Sequence, residues 1–446
     1  MNAKEKYIYM TQEPIPHLVC SLAVPTIISM LVSSFYNMVD TFFVGRINTS
    51  ATAAVGIVFS LMAIIQAIGF FFGHGSGNYI SRKLGAQEME EASLMASFGF
   101  FAALIAGTLL MVGGLVFIGP LARALGSTET IMPYAIDYLR FILVGAPYMT
   151  ASLVLNNQLR FQGNAFYGMI GIVSGAVINI VLDPILIFGL GMGIGGAALA
   201  TIISQFVSFV ILLSFALKGP GISIRWKNFH PSLHLMKEIA RGGFPSLCRQ
   251  GLASVATIAL NVAAGAYGDA AIAGMSIVSR VSMFANSALI GFGQGFQPVC
   301  GFNYGAKLFH RVREAFYFCV KYATLFLFLV SVAGFLGAPQ LVRIFRKDDL
   351  EVAAVGIAAL RFTCISFTLN GWIVMSNMFL QSIGMATRAS IVAAARQGLF
   401  FLPLIAILPS VFGVQGIEMC QMISDILTFF VALPLALGVL KKMKAA

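Results

Sequence analysis

Residues 18–45 read LVCSLAVPTIISMLVSSFYNMVDTFFVG, an apolar run in which Asp40 is the one charged side chain. A membrane-spanning helix needs about 20 apolar residues, so this stretch is long enough to cross a bilayer. Eleven further runs of this kind follow it. The twelve predicted spans are 18–45, 52–80, 94–118, 133–159, 166–190, 195–217, 238–268, 272–298, 316–336, 353–382, 388–412 and 414–438. The sequence therefore predicts an all-α integral membrane protein with twelve transmembrane helices.

The composition agrees with a lipid environment. Hydrophobic residues make up 59% of the 446 residues and charged residues 10%, whereas an average soluble domain is about 25% charged. The net charge of +11 could indicate a nucleic-acid partner, but the basic residues are dispersed over short loops and form no single stripe. The six cysteines are widely spaced and indicate neither disulfides nor a zinc site. We expect no nucleic-acid partner.

The basic residues predict the orientation in the membrane. With a cytoplasmic N-terminus, the cytoplasmic segments hold 17 Lys and Arg residues, Arg160 among them, and the opposite side holds five. An excess of Lys and Arg marks the cytoplasmic side. We therefore expect a multi-pass protein of a bacterial or archaeal plasma membrane with both termini in the cytoplasm. We also expect it to be a monomer.

The chain contains an internal repeat. A shift of 220 residues aligns Pro25 with Pro245 and the Gly-His-Gly of residues 73–75 with the Gly-Gln-Gly of residues 293–295. Each half contains six predicted spans, so both halves begin on the same side of the membrane, which is a plan that transporters use. The repeat predicts two pseudo-symmetric six-helix lobes. The predicted divisions are an N-lobe over residues 1–217, a cytoplasmic linker over 218–237 and a C-lobe over 238–446.

Two acidic residues inside spans are the first candidates for function. Asp40 follows Tyr36 by one helical turn, and Asp183 follows Asn179 by one turn. An ionisable residue inside a membrane costs about 2.5–3.5 kcal/mol on insertion scales and is by default a functional candidate. Pro184 removes an N–H from the helix ladder and frees a carbonyl. Oxygen ligands for a small cation could converge at this position.

Three further features of the spans bear on function. Pro25 interrupts the helix that carries Asp40, as in the broken helices that line transporter sites. Glu418 and Asp425 share a face of the last helix, and we expect them to pair structurally with Arg396 or Arg361. The Gly-x-Gly pairs lack the context of a nucleotide-binding motif, and no Walker A sequence is present. We expect no nucleotide and no cofactor, so the energy for transport would come from an ion gradient.

The sequence resembles the multidrug and toxic compound extrusion (MATE) family, and within it the MepA-like and DinF-like bacterial branches. The resemblance covers essentially the whole chain. It is carried by Pro25, by Tyr-Asn-Met-Val-Asp-Thr-Phe-Phe-Val-Gly at 36–45, by Leu-Arg-Phe-Gln-Gly at 159–163 and by Asn-Ile-Val-Leu-Asp-Pro at 179–184. It implies two lobes around a central cavity, alternating access, and exchange of Na⁺ or H⁺ for lipophilic, often cationic drugs.

The resemblance also implies a cation site in the N-lobe. Its ligands, which would serve Na⁺ as a possible metal, are Asp40, Asn179, Asp183, Thr201 and the backbone carbonyl of Ala197. The C-lobe departs from some relatives, because its predicted cavity helices carry amides such as Asn370 and Asn377 in place of carboxylates. The residues proposed to line the substrate cavity are Tyr36, Tyr138, Asn156 and Asn157.

Cation-coupled export of small molecules is the predicted function, and three alternatives compete with it. A flippase for lipid-linked or other amphipathic substrates could share this general fold, although we would expect cationic residues along its cavity. A passive channel needs no paired carboxylates beside a proline-interrupted helix. An embedded enzyme would need a catalytic constellation, and none is visible in the spans. We therefore expect a transporter and no enzyme activity.

Overall fold

A computed structural model describes residues 2–219, 222–345 and 349–445 of the chain. These residues form helices and no strand. Twelve of the described helices are long and apolar enough to cross a membrane, as the sequence predicts. A bilayer core offers no water to hydrogen-bond the backbone, and a helix satisfies its own N–H and carbonyl groups. The apolar composition of the spans therefore requires this secondary structure.

The helices follow one another with short connections. In the N-terminal half they are α1 (Ala3–Gln12), α2 (Ile15–Val44), α3 (Thr49–Gly85), α4 (Met89–Val116), α5 (Ile118–Ala124), α6 (Met132–Phe161), α7 (Ala165–Pro184) and α8 (Gly193–Lys218). The C-terminal half contains α9 (Leu233–Gly265), α10 (Asp269–Gly305), α11 (Phe309–Leu336), α12 (Ala338–Phe345), α13 (Leu350–Phe367), α14 (Asn370–Ser382), α15 (Ala386–Ala394), α16 (Leu402–Phe412) and α17 (Val414–Ala445). A π-helical turn, Ile185–Gly189, follows α7, and a second one, Ala395–Phe401, joins α15 to α16.

The structure differs from the predicted spans in two respects. The predicted span 353–382 is wrong as a single helix, because α13 ends at Phe367 and α14 begins at Asn370. Ser366, Thr368 and Asn370 surround this break, and short polar side chains compete with the helix for backbone hydrogen bonds. In addition, the polar segment before the first span forms α1, whose N-terminus is capped by the side chain of Asn2.

The two lobes meet through pseudo-equivalent helices. In the N-lobe α2 packs on α10 of the C-lobe, and α3 packs on α9. Glycines allow close approach: a Cβ on Gly85 would overlap the carbonyl of Phe302, and a Cβ on Gly305 would overlap the carbonyl of Arg82. Small residues commonly permit such backbone contacts between membrane helices. The 220-residue shift between Gly85 and Gly305 makes this contact reciprocal.

The described hydrogen bonds between the lobes lie toward one end of the bundle. Along α2 and α10, the described hydrogen bonds between the lobes extend as far as the one between the Ser34 and Ser287 hydroxyls, at 2.8 Å. Beyond this pair no described residue hydrogen-bonds across the interface. We call the end at which Gly85 and Gly305 lie the closed end.

Replacing Gly85 by alanine tests the closed end. The added methyl group would push against the Phe302 carbonyl, and overpacking of this kind costs about 1–3 kcal/mol. We expect Gly85→Ala to lower the melting temperature of the purified protein in detergent. Gly113→Ala is the matched control, because its Cβ would meet no atom within 4 Å. Equal melting temperatures for the two variants would contradict this account of the interface.

Candidate functional site

Packing of α2 against α7 brings two predicted site residues together. Asp40 on α2 is 5% exposed and Asp183 on α7 is fully buried. The packing of α2 on α7 places the two carboxyl groups near each other. They are separated by more than 140 positions in the chain. The N-lobe thus holds a buried pair of carboxyl groups.

Three further predicted residues complete the wall of this site. Asn179 lies one turn before Asp183 on α7, and its amide Nδ2 is 3.5 Å from the hydroxyl of Thr201 on α8. The Thr201 hydroxyl donates a hydrogen bond to the carbonyl of Ala197, one turn earlier, at 3.1 Å. All three residues are buried. The helices α2, α7 and α8 therefore contribute carboxylate, amide, hydroxyl and carbonyl oxygens to one place.

The local sequence explains how α7 ends at the site. Pro184 has no N–H, so the carbonyl one turn earlier loses its helical partner. The chain continues into the π-turn Ile185–Gly189, and π-turns inside helices occur frequently at functional sites. Asp183 is the next-to-last residue of α7, directly before Pro184, where this change of helix type begins.

The oxygen atoms of the site lack hydrogen-bond donors. Four buried oxygens have no partner among the described residues: Oδ1 of Asp40, Oδ1 of Asn179 and both Oδ atoms of Asp183. Buried polar atoms in folded proteins are nearly always hydrogen-bonded. Oxygen ligands are also those that hard cations prefer. The arrangement can bind a proton or a small hard cation, and a sodium ion fits this donor set.

A small polar cavity lies beside the carboxyl pair. It has a volume of about 110 Å³ and is lined by residues that include Tyr36, Asn156, Asn179 and Thr201. Tyr138 is buried close to both carboxyl groups. The structure therefore brings Tyr36, Tyr138 and Asn156 to the N-lobe site.

Asn157 and Pro25 lie elsewhere. The side chain of Asn157 is fully buried and accepts a hydrogen bond from Nη2 of Arg160 at 2.6 Å. Pro25 is buried, and α2 continues through it as one helix. At a rise of 1.5 Å per residue, Pro25 is about 22 Å along the helix from Asp40. Pro25 lies at the lobe interface, where its neighbour Ala23 contacts Gly295.

Sequence reasoning missed a polar cluster at the closed end. Arg160, which was counted with the cytoplasmic loops, is 2% exposed, and its Nη1 donates to Oε1 of Gln294 in the opposite lobe at 2.6 Å. His74 Nδ1 and the Ser246 hydroxyl are hydrogen-bonded at 2.8 Å, also across the interface. The aligned Gly-x-Gly pairs could have signalled it, because their middle residues are His74 and Gln294.

The acidic residues of the last helix have different surroundings. Asp425 is fully buried and accepts from Nε of Arg396 at 2.8 Å, which confirms the expected structural pairing. Its other oxygen accepts from Ser366 and Asn370, each at 3.2 Å. The expected pairing is wrong for Glu418, which forms no ion pair within the described part of the chain. Arg361 lies over the ring of Phe335. In the C-lobe the buried carboxylate at Asp425 is therefore already neutralised.

Comparisons with known proteins agree on one family. The MatE family model matches residues 25–185 and 245–407. The chain is 29% identical to the multidrug export protein MepA of Staphylococcus haemolyticus (strain JCSC1435), over 96% of this chain and 95% of the relative. It is 26% identical to MepA of Staphylococcus aureus (strain MSSA476), with the same coverage of both proteins.

Solved structures of transporters show the same fold. One is the outward-facing conformation of a multidrug resistance MATE family transporter of the MOP superfamily, with a TM-score of 0.93 and 26% identity. Another is MATE in the straight conformation, with a TM-score of 0.92 and 26% identity. Each comparison covers 98% of this chain and 99% of the other.

The ion pair of the C-lobe leads to a prediction about stability. Arg396→Gln would leave the Asp425 carboxylate buried without its cation, and breaking a buried ion pair typically costs about 3–5 kcal/mol. We expect a large fall in the melting temperature in detergent. Arg361→Gln removes the same charge from an exposed position of the same lobe and should change the melting temperature little. Similar melting temperatures for the two variants would show that the ion pair is not structural.

Proposed function

The chain belongs to the MatE family of multidrug efflux transporters, and from this premise we propose that it is an antiporter that exports lipophilic, cationic small molecules in exchange for Na⁺ or H⁺. The observation that carries the proposal is the buried pair of Asp40 and Asp183, of which three carboxylate oxygens lack donors, beside Oδ1 of Asn179, which also lacks one. Transport would proceed by alternating access, with the two lobes rocking against each other. The protein would lie in the plasma membrane of a prokaryote, with both termini in the cytoplasm.

The electrostatics of the carboxyl pair support coupling. Two carboxylates this close repel each other, and they have no cationic partner among the described residues. A bound proton or sodium ion would remove this repulsion. Asn179, Thr201 and the carbonyl of Ala197 would supply the remaining oxygen ligands for Na⁺.

The same charges provide a reason for exchange. The cationic group of a substrate that reaches into the adjoining cavity, beside Tyr36 and Asn156, would be attracted by the ionised carboxyl pair. Once a coupling ion neutralises Asp40 and Asp183, this attraction is lost and the substrate is released. The coupling ion and the cationic substrate would therefore compete for one set of charges.

The lobe interface supports the conformational half of the proposal. The glycine contacts at the closed end and the cluster around Arg160 join the lobes through small surfaces and a few hydrogen bonds. If the termini are cytoplasmic, the closed end is the cytoplasmic end and the conformation is outward-facing. Pro25 lies at this interface, so a bend of α2 at this position would alter the packing against α10.

Transport by carboxyl variants tests the coupling site. We expect Asp40→Asn and Asp183→Asn each to reduce efflux of a fluorescent lipophilic cation from proteoliposomes at least about tenfold. Each variant removes one negative charge of the pair, and a tenfold loss corresponds to about 1.4 kcal/mol of coupling free energy. Efflux is measured under separately imposed Na⁺ and proton gradients, and the effective gradient identifies the ion. Asp137→Asn is the control, because this acid is exposed on the same lobe.

The outcomes of this assay are distinct. Normal efflux by both carboxyl variants would contradict the site assignment. If the wild type moves no such cation under either gradient, the proposed substrate class is wrong, and a flippase activity toward lipid-linked substrates is the next to test.

A binding measurement tests the ligand set of Na⁺ independently of transport. We expect Na⁺, at constant ionic strength against K⁺, to raise the melting temperature of the wild type. Thr201→Ala removes one oxygen ligand, so we expect the Na⁺ concentration that gives half of this stabilisation to rise about tenfold. Ser214→Ala is the matched control, because its exposed hydroxyl bonds to its own helix, at the carbonyl of Val210. Equal Na⁺ dependence in both variants would exclude Thr201 as a ligand.

A further inference from the structure

A second cavity lies at the closed end of the bundle, away from the carboxyl pair. Its volume is about 850 Å³, within the ~300–1,000 Å³ range of small-molecule sites. Its walls come from α1, the turn between α3 and α4, the turn between α6 and α7, the end of α8, the linker and α10. We call it the α1 cavity.

Helix α1 covers this cavity and is hydrogen-bonded to both lobes. On the N-lobe side, Lys6 Nζ donates to the carbonyl of Gly163 at 2.6 Å and to Oδ1 of Asn164 at 2.8 Å. On the C-lobe side, Asn303 Nδ2 donates to the carbonyl of Met10 at 3.1 Å. Arg311 Nη2 donates to the carbonyl of Glu13, just after α1, at 2.6 Å. The wall of the cavity that α1 forms is thus anchored to both lobes.

The polar part of the α1 cavity is positively charged. Lys4, Lys6 and Lys218 line it, and none of them forms an ion pair with a described carboxylate. The neighbouring Glu5 is engaged by the backbone and side-chain nitrogens of Asn2. An ammonium group has three donors, and Lys6 uses two of them, so one is left for a ligand.

The ionisation of Lys6 agrees with this charge arrangement. Burial lowers the pKa of the Lys6 ammonium group to about 8. A group that loses water without gaining a counter-charge favours its neutral form. An anion within hydrogen-bonding distance of Nζ would stabilise the charged form and raise this pKa.

The remaining part of the cavity is apolar and lies at the ends of two membrane-spanning helices. Tyr167, Phe215, Ile222 and Phe302 contribute its apolar walls. Tyr167 is near the start of its membrane-spanning helix and Lys218 is the last residue of another. Aromatic and basic residues at the ends of spans mark the membrane–water interface. A free phosphate would use only the charged part of such a cavity, whereas a phospholipid would use both parts.

From this geometry we infer that the α1 cavity binds an anionic phospholipid of the adjacent leaflet, with the phosphate against Lys4, Lys6 and Lys218 and apolar groups against Phe215 and Phe302. The site differs in place, charge and ligand class from the proposed coupling site. It requires no transport activity to bind its ligand.

Binding would also favour closure of this end. Phe302 belongs to the C-lobe, and most of the other walls belong to α1 and the N-lobe, so separation of the lobes would remove one wall of the cavity. Tyr7 and Phe302 are in contact, with their ring centroids 5.9 Å apart. A ligand that binds one conformation better shifts the population toward it. This consequence rests on the alternating access of the proposed function, whereas the binding itself does not.

Native mass spectrometry of the full chain in detergent tests the binding. The probes are phosphatidylglycerol, phosphatidylcholine and inorganic phosphate. We expect phosphatidylglycerol to bind at least about tenfold more tightly than phosphatidylcholine, and millimolar inorganic phosphate not to displace it. Lys4→Gln combined with Lys218→Gln keeps the Lys6 contacts intact and should weaken binding about 25-fold, at about fivefold per lysine.

The control carries the same change of charge outside the cavity. Lys227→Gln combined with Lys442→Gln replaces two exposed lysines and should bind phosphatidylglycerol like the wild type. Equal affinity of the two double variants for this lipid would overturn the site. Displacement of the lipid by inorganic phosphate would overturn the lipid as its occupant and assign the cavity to free phosphate.

A distance measurement tests the effect on closure. Spin labels at Glu90 and His310, which are exposed and related by the 220-residue shift, report the separation of the lobes at the closed end once the native cysteines are replaced. We expect phosphatidylglycerol to increase the short-distance population, and the Lys4, Lys218 variant to lack this response. No response in a wild type that shows two populations would overturn the effect on closure. One fixed distance under every condition would overturn alternating access as well, while the binding result stands separately.

Discussion

The cost of placing a polar group in hydrocarbon governs this structure. It makes every span helical. A charged side chain within a span is therefore expected either to form an ion pair or to belong to a functional site. Asp425 satisfies this requirement with Arg396, Ser366 and Asn370. Asp40 and Asp183 do not, because their described neighbours leave three carboxylate oxygens without a donor. The same constraint thus separates a structural carboxylate from a pair of candidate coupling groups.

The two lobes share a backbone plan but differ in chemistry. Pseudo-equivalent glycines let the lobes approach reciprocally at the closed end. The carboxyl pair has no counterpart in the C-lobe, where the 220-residue shift places Leu260 opposite Asp40 and the 221-residue shift places Leu404 opposite Asp183. The repeat therefore accounts for the shared backbone plan, and differences in a few side chains place the carboxyl pair in the N-lobe.

The closed end combines three kinds of contact that have different strengths. Backbone packing at Gly85 and Gly305 requires an accurate fit. The hydrogen bonds of Arg160 and His74 satisfy buried polar groups that separation would expose to water. Helix α1 adds contacts to both lobes outside the spans. Because water could replace most of these hydrogen bonds when the lobes part, their net contribution is modest, which suits an interface that must open and close.

The sequence by itself determined the number of spans, and it predicted the two-lobe plan and Asp40, Asn179 and Asp183 as site residues, whereas Thr201 and Ala197 were implied only by resemblance. Span length and hydropathy depend on local composition, and the pair Asn179–Asp183 follows from the helical period. The residues at which the tenth span breaks, around Thr368, were not predicted, because an apolar composition does not reveal how polar side chains compete for the backbone. The contact between Asp40 and Asp183 was implied only by resemblance, since their helices are distant in the chain. Tertiary structure alone decided that Arg160 is buried between the lobes, that Asn157 accepts a hydrogen bond from Arg160, and that α1 contacts both lobes. An arginine near a helix end has the same local sequence whether it faces water or an opposing lobe, so only packing of the two lobes distinguishes these cases.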